Sequence, residues 1–192
     1  MTGVQTCALP ISTQIPLIDV PPLVPSGQIP PRPSHGDPLV QRRAAEILYE
    51  KVGPWLEVED DNRDKATIMA DLIDVLKRNI HSDGYALTKY LENTKGWAAD
   101  SELVQIMDDA GWCERRAIQE HTSQWVQVYG ITSPVKVLDK VRILSNNENK
   151  GKIGSVVSIN TMLGECNVRT TEQGTASSWI LTYEQVEVIH GA

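Results

Sequence analysis

The apolar positions of residues 37–131 recur every three or four residues, the spacing of one face of an α-helix. Asp37-Pro38 supplies an acidic N-cap, then a proline where its missing N–H costs nothing. Val40, Ala44, Ile47 and Leu48 follow on one face, and Gly53-Pro54 predicts the end of this first helix. Ile68, Met69, Leu72, Ile73, Leu76 and Ile80 form the strongest periodic run. Asp60, Asp61 and Asp64 precede it and Lys77-Arg78 close it, as the helix dipole favours. Two shorter helices are predicted from Leu87, Tyr90 and Leu91 and from Leu103, Val104 and Met107. Each is followed by Gly-Trp, at Gly96-Trp97 and Gly111-Trp112. A left-handed glycine followed by an apolar residue that folds back is the Schellman ending. Trp97 is therefore expected to cover Leu91, and Trp112 to cover Met107. A fifth helix is predicted over Glu114–Tyr129, with Ile118, Thr122, Trp125 and Tyr129 on one face and Gly130 at its end.

Beyond Ser133-Pro134 the period changes to alternation. Lys140–Leu144, Ile153–Ile159, Cys166–Thr170, Ser178–Thr182 and Val186–Ile189 are five short strand candidates with glycines between or at their edges. Strands so short and so close in sequence cannot build two full sheets, and a small, strongly bent barrel is the economical solution. Val141, Ile143, Ile153, Val156, Ile159, Val168, Leu181, Val186 and Val188 are expected to fill its core. The fold class is α+β: an all-α domain of about five helices over 37–131, then a five-stranded barrel over 135–190.

The barrel segment resembles a known family. Leu138-Asp139-Lys140-Val141-Arg142-Ile143-Leu144, then Lys150-Gly151-Lys152-Ile153-Gly154-Ser155-Val156-Val157-Ser158-Ile159, is similar to a KOW motif. That motif opens SH3-like barrels in ribosomal proteins and transcription elongation factors. The tail, Val168-Arg169, Ser178-Trp179-Ile180-Leu181 and Val186-Glu187-Val188-Ile189, resembles SH3-like repeats of some ubiquitin ligases, where a Trp and a closing acidic-apolar strand recur. The resemblance implies an SH3-like fold, with Gly151 giving a tight entry and Gly154 a kink. Small barrels host many functions, so it leaves the function open. In nucleic-acid-binding KOW domains the first loop is usually basic; Ser145–Lys150 here is mostly neutral.

Charge sharpens the picture. The 192 residues carry a net charge of −7. About 18 acids and about 11 bases fall in 37–131, against about six of each in 134–192, so the helical part holds the excess. Such a chain repels phosphate backbones unless its cations cluster. Phenylalanine is absent, leaving five Trp and five Tyr as aromatic anchors. No apolar run is long enough to span a bilayer, and no signal-peptide pattern is visible. Cys7, Cys113 and Cys166 form no pattern, which suits a reducing compartment and a cytoplasmic location.

The start of the chain is of a different kind. Thr2–Ile11 resembles a sequencing-library adapter translated in one frame, so residues 1–11 are expected to be an assembly artefact. The natural amino terminus is then missing and the source an assembled metagenome or transcriptome. Residues 12–36 are proline-rich and expected to be a disordered tail. Pro30-Pro31-Arg32-Pro33 offers a polyproline II ligand to an SH3 or WW domain, although a tether is the better reading.

The sequence lacks phosphate-loop, dinucleotide-fold, zincin, nucleophile-elbow and CxxC motifs. Cys113 and His121 lie too far apart along one helix for a thiol–imidazole pair, which leaves a semi-buried Cys and a surface His. Asp60, Asn62 and Asp64 imitate a calcium loop, but Lys65 stands where glycine is needed, so a solvated helix start is the better reading. No His spacing suits a metal. The segment Ser101–Asp109 has three acids and no base, which excludes a DNA-reading helix.

These observations imply a non-enzymatic interaction or assembly module that needs no cofactor and binds a protein partner. RNA association through the KOW segment is the alternative, and an enzyme without a recognisable motif the third; DNA and membrane are excluded. Candidate binding residues are Trp179 and Tyr183 near the barrel mouth, with Arg142, Lys150, Lys152 and Arg169 as the cations of an RNA-binding patch. Trp179 shares the face of Leu181 by period two, so it either closes one end of the core or serves as a partly exposed anchor.

Overall fold

The computed structural model of the chain describes residues 29–59, 62–78, 83–145, 148–172 and 175–189. The adapter-like stretch, residues 12–28 of the proline-rich segment, Asp60-Asp61 and Ile80 lie outside them. Helices come first and strands second: α1 Pro38–Val58, α2 Lys65–Arg78, α3 Gly84–Lys95, α4 Ser101–Asp108 and α5 Ala110–Val128, then β1 Lys140–Ile143, β2 Ile153–Asn160, β3 Glu165–Glu172, β4 Thr175–Thr182 and β5 Val186–Val188. A 3-10 turn, Tyr183–Gln185, joins β4 to β5.

Aspartates start four of the helices. The carboxylates of Asp37, Asp64, Asp83 and Asp100 accept the amides of Leu39, Thr67, Ala86 and Leu103 at 2.9, 2.8, 2.8 and 2.7 Å. Part of the acidity of the helical region is thus capping, and the calcium-like Asp64 is a helix start. α1 packs against α2, α4 and α5. Its Val40, Ala44, Leu48 and Val52 are fully buried beside Leu72, Val75, Leu91 and Leu103.

Two helix ends differ from the sequence reading. α1 runs through Gly53-Pro54 to Val58. Pro54 forfeits one hydrogen bond in the closing turns, but Trp55 and Leu56 are buried there, and Trp55 Nε1 donates to Asp100 at 3.1 Å. Gly111-Trp112 is not a Schellman ending: Asp109 keeps a right-handed backbone (φ −80°, ψ −6°), so α4 passes into α5 with Gly111 inside the new helix. Trp112 stays 42% exposed, with Lys51 Nζ and Arg116 each about 5 Å from its ring centre. The ending does occur at Gly96 (φ 72°), where the Trp97 amide reaches the Leu91 carbonyl and the Trp97 ring stacks on Trp55 at 6.0 Å. It recurs at Gly130 (φ 60°), where the Ile131 amide reaches Val126 O at 3.0 Å. Ile131 then packs on the second core, so this ending joins helices to strands.

The strands form one antiparallel sheet in the order β4-β3-β2-β1-β5. β5 therefore returns past three strands to pair with β1, Val141 facing Val188 and Ile143 facing Val186. The ladder between β2 and β3 shifts register between Val156 and Ser158, a bulge that bends and twists the strand. Gly151 has φ 85° in the turn entering β2, as its tight turn requires. Gly154 serves close approach: a Cβ there would stand 2.8 Å from Arg169 O. Val141, Ile143, Val156, Val168, Leu181 and Val186 are buried as expected, Ile159 and Val188 are half-buried, and Val135, Cys166 and Tyr183 join them. Ile153 departs from the expectation; it is 56% exposed because it pairs with Arg142 on the outer face.

Candidate functional site

Alternation sorts the sheet into two faces. On the inner side Val141, Gly154, Val156, Thr170, Val168, Trp179 and Leu181 follow one another through the ladder pairs. Trp179 is half-buried, faces Val168 across the ladder, and donates from Nε1 to Thr170 Oγ1 at 3.3 Å. Tyr183, in the 3-10 turn, is only 6% exposed, its hydroxyl enclosed without a partner and its amide on Gly164 O at 3.0 Å. Both aromatic candidates thus pack with the core.

The outer face is a different surface. One row runs Lys140, Ser155, Arg169 and Ser178 across β1 to β4, each residue the ladder partner of the next. Beside it Glu187, Arg142 and Ile153 run across β5, β1 and β2. Lys140 Nζ donates to Ser155 Oγ at 2.8 Å, and Arg142 pairs with Glu187 at 3.0 Å between two half-exposed side chains. Arg169 is exposed, and among the described residues it has no ion-pair partner. Among the described residues these two rows hold three cations and one carboxylate, on a chain whose net charge is −7. Of the four cations expected to make a patch, Arg142 and Arg169 share this face. Lys150 and Lys152 sit in the turn that leads into β2. Lys140 was missed because its position on the strand, and not its spacing from the KOW glycines, places it here.

A second cluster joins the strands to the helices through the proline-rich segment. Residues 29–36, expected to be disordered, lie along α5. Trp125 Nε1 donates to Pro30 O at 2.9 Å, and the Arg32 guanidinium lies 5.0 Å from the Trp125 ring centre. The same guanidinium donates to Leu163 O at 2.6 Å and Gly164 O at 3.0 Å, and meets Glu184 at 3.1 Å. Pro-Pro-Arg-Pro is therefore held by the chain itself: the Trp125 indole bonds Pro30 O and carries the Arg32 guanidinium on its ring, and the arginine reaches the β2–β3 turn. Gly164 (φ 60°) also admits Val126, whose Cγ2 would stand 3.2 Å from a Cβ.

Under this strap a pocket of about 170 Å³ is walled by Pro30, Pro31, Pro33, His121, Trp125 and Tyr129. His121 is buried, not superficial as expected, and its Nε2 has no partner. Burial holds its pKa below the ordinary value, against the pull of Asp37 and Glu120. Cys113 is fully buried too, and burial pushes its thiol up to about 11. Among the described residues no group of three or more His, Cys, Asp or Glu side chains is placed to hold a metal, and no helix is long and apolar enough to cross a membrane.

In comparisons of the chain with protein-family models, curated proteins and solved structures, nothing matches.

Proposed function

We propose that the chain is a non-enzymatic, cytoplasmic protein-interaction module, a helical domain strapped to a KOW-type SH3-like barrel whose outer face docks an acidic, partly apolar segment of a partner protein. The barrel reading is supported by the strand order, in which β5 returns to pair with β1, by the bulge after Val156, and by the close packing that Gly154 permits. The docking reading rests on one observation: the outer rows expose Lys140, Arg142 and Arg169 beside Ile153, against a net charge of −7 for the whole chain. A partner segment with acids spaced around one or two aliphatic residues complements that surface in charge and in apolar area. Trp179 and Tyr183 serve the inner side and support the face from behind.

Fluorescence anisotropy of the full chain with a labelled peptide of Glu residues interspersed with Leu tests the reading, with single-stranded polyuridine as comparator. Micromolar binding of the peptide, weakened about tenfold or more by Arg169→Glu, is the expected result. Tighter binding of the RNA, with affinity falling steeply with salt, would transfer the face to the nucleic-acid reading. Binding of neither probe would remove the face as a docking site.

A further inference from the structure

The sheet has two edges, and they are built differently. β5 is three residues long and carries Glu187 at its centre, a short and charged edge of the kind that discourages pairing. β4 is eight residues long, Thr175–Thr182, and its sequence TASSWILT contains no charge and no proline. Its ladder with β3 runs unbroken from Glu165↔Thr182 to Glu172↔Thr175, without the bulge that would turn the edge away. Among the described residues, backbone pairing of β4 is with β3 alone. Ile180, on the outer face of that edge strand, is 73% exposed.

We infer that β4 is a self-association edge, at which a second copy of this chain adds its own β4 antiparallel, related by a two-fold axis that passes between the two Ser178 residues. The sequence is self-complementary about that residue. Ser178 meets its own copy, and Ala176 meets Ile180 of the second copy on the outer face, covering the exposed isoleucine at both ends of the contact. On the inner side Ser177 meets Trp179 and Thr175 meets Leu181. No like charges oppose one another at any of these positions. The row Lys140, Ser155, Arg169 and Ser178 would then continue into its symmetry mate, making one basic row across both sheets. Main-chain hydrogen bonds along one strand pair form a small interface, so a dimer of micromolar stability is expected.

Sedimentation velocity of the full chain from about 1 µM to about 1 mM tests this. The wild type should pass from monomer to dimer, and Ser178→Lys, which sets two ammonium groups opposite each other on an exposed face, should stay monomeric with an unchanged melt. If Ser178→Lys melts early, Ala176→Lys, also exposed and two residues nearer the strand's start, takes its place by setting an ammonium group against Ile180 of the second copy. A monomer at every concentration, or a dimer that the lysine variants leave intact, would overturn the inference.

Discussion

Arg32→Ala is the most informative single change, because one side chain binds both parts of the molecule. Its guanidinium gives hydrogen bonds to two carbonyls, Leu163 O at 2.6 Å and Gly164 O at 3.0 Å, and a bond from a charged donor is worth about 1.5–3 kcal/mol. The pair with Glu184 adds less than about 1 kcal/mol, since that carboxylate is half exposed. Stacking over Trp125 adds about 0.5–1 kcal/mol. Against these stand about 2 kcal/mol of side-chain entropy and the buried Nε, which has no partner. The balance is a loss of about 3 kcal/mol for Arg32→Ala. Urea unfolding followed by tryptophan fluorescence reads it: with a slope of about 2 kcal/mol/M, the midpoint should fall by roughly 1.5 M. Arg32→Lys, a point charge without the fork, should recover part of the loss. A change below about 0.5 kcal/mol would refute the strap as a structural bond and return residues 29–36 to the status of a tether.

Gly154→Ala should destabilise by about 2 kcal/mol or more in the same assay, because its methyl group meets Arg169 O and Thr170 Cγ2 within the sheet. Leu138 has φ 78° in the turn Lys136–Asp139 and is 80% exposed, so Leu138→Gly should raise stability by up to about 1 kcal/mol, read as a higher thermal midpoint. Burial depresses the pKa of His121, so the unfolded chain takes up that proton first. The stability it contributes is complete above about pH 6.5 and is lost as pH falls through the lowered native value. His121→Leu should flatten the fall in unfolding free energy between about pH 7 and about pH 5, with Asp37, Glu120, Arg43 and Glu46 as the facing charges.

The order of elements, the helix-to-strand change near Ser133-Pro134 and most of the strand core were legible in the sequence, because each follows from local periodicity. The misreadings have physical causes that lie outside any window. Gly53-Pro54 reads as a stop, but burial of Trp55 and Leu56 carries α1 past it. Gly111-Trp112 and Gly130-Ile131 share the pattern of glycine then apolar residue, and only the second adopts the left-handed backbone. Ile153 is as apolar as Ile143, yet its ladder register puts it outside. Pro30-Pro31-Arg32-Pro33 reads as a tether in the sequence, because the indole that holds it, Trp125, is 95 positions away from Pro30. The basic residues were named from the KOW resemblance. That Arg142 and Arg169 share a face with Lys140 depends on ladder pairings among β1, β2 and β3, which Lys150 and Lys152, in the turn before β2, do not join.

The proposed docking face is tested most directly by nuclear magnetic resonance of the isotopically labelled full chain, titrated with the Glu/Leu peptide. The largest shifts should fall on Lys140, Arg142, Ile153, Ser155 and Arg169, with helices α1–α4 unmoved. Saturating shifts confined to the helices or to Trp179 and Tyr183, or no shifts at all, would contradict it.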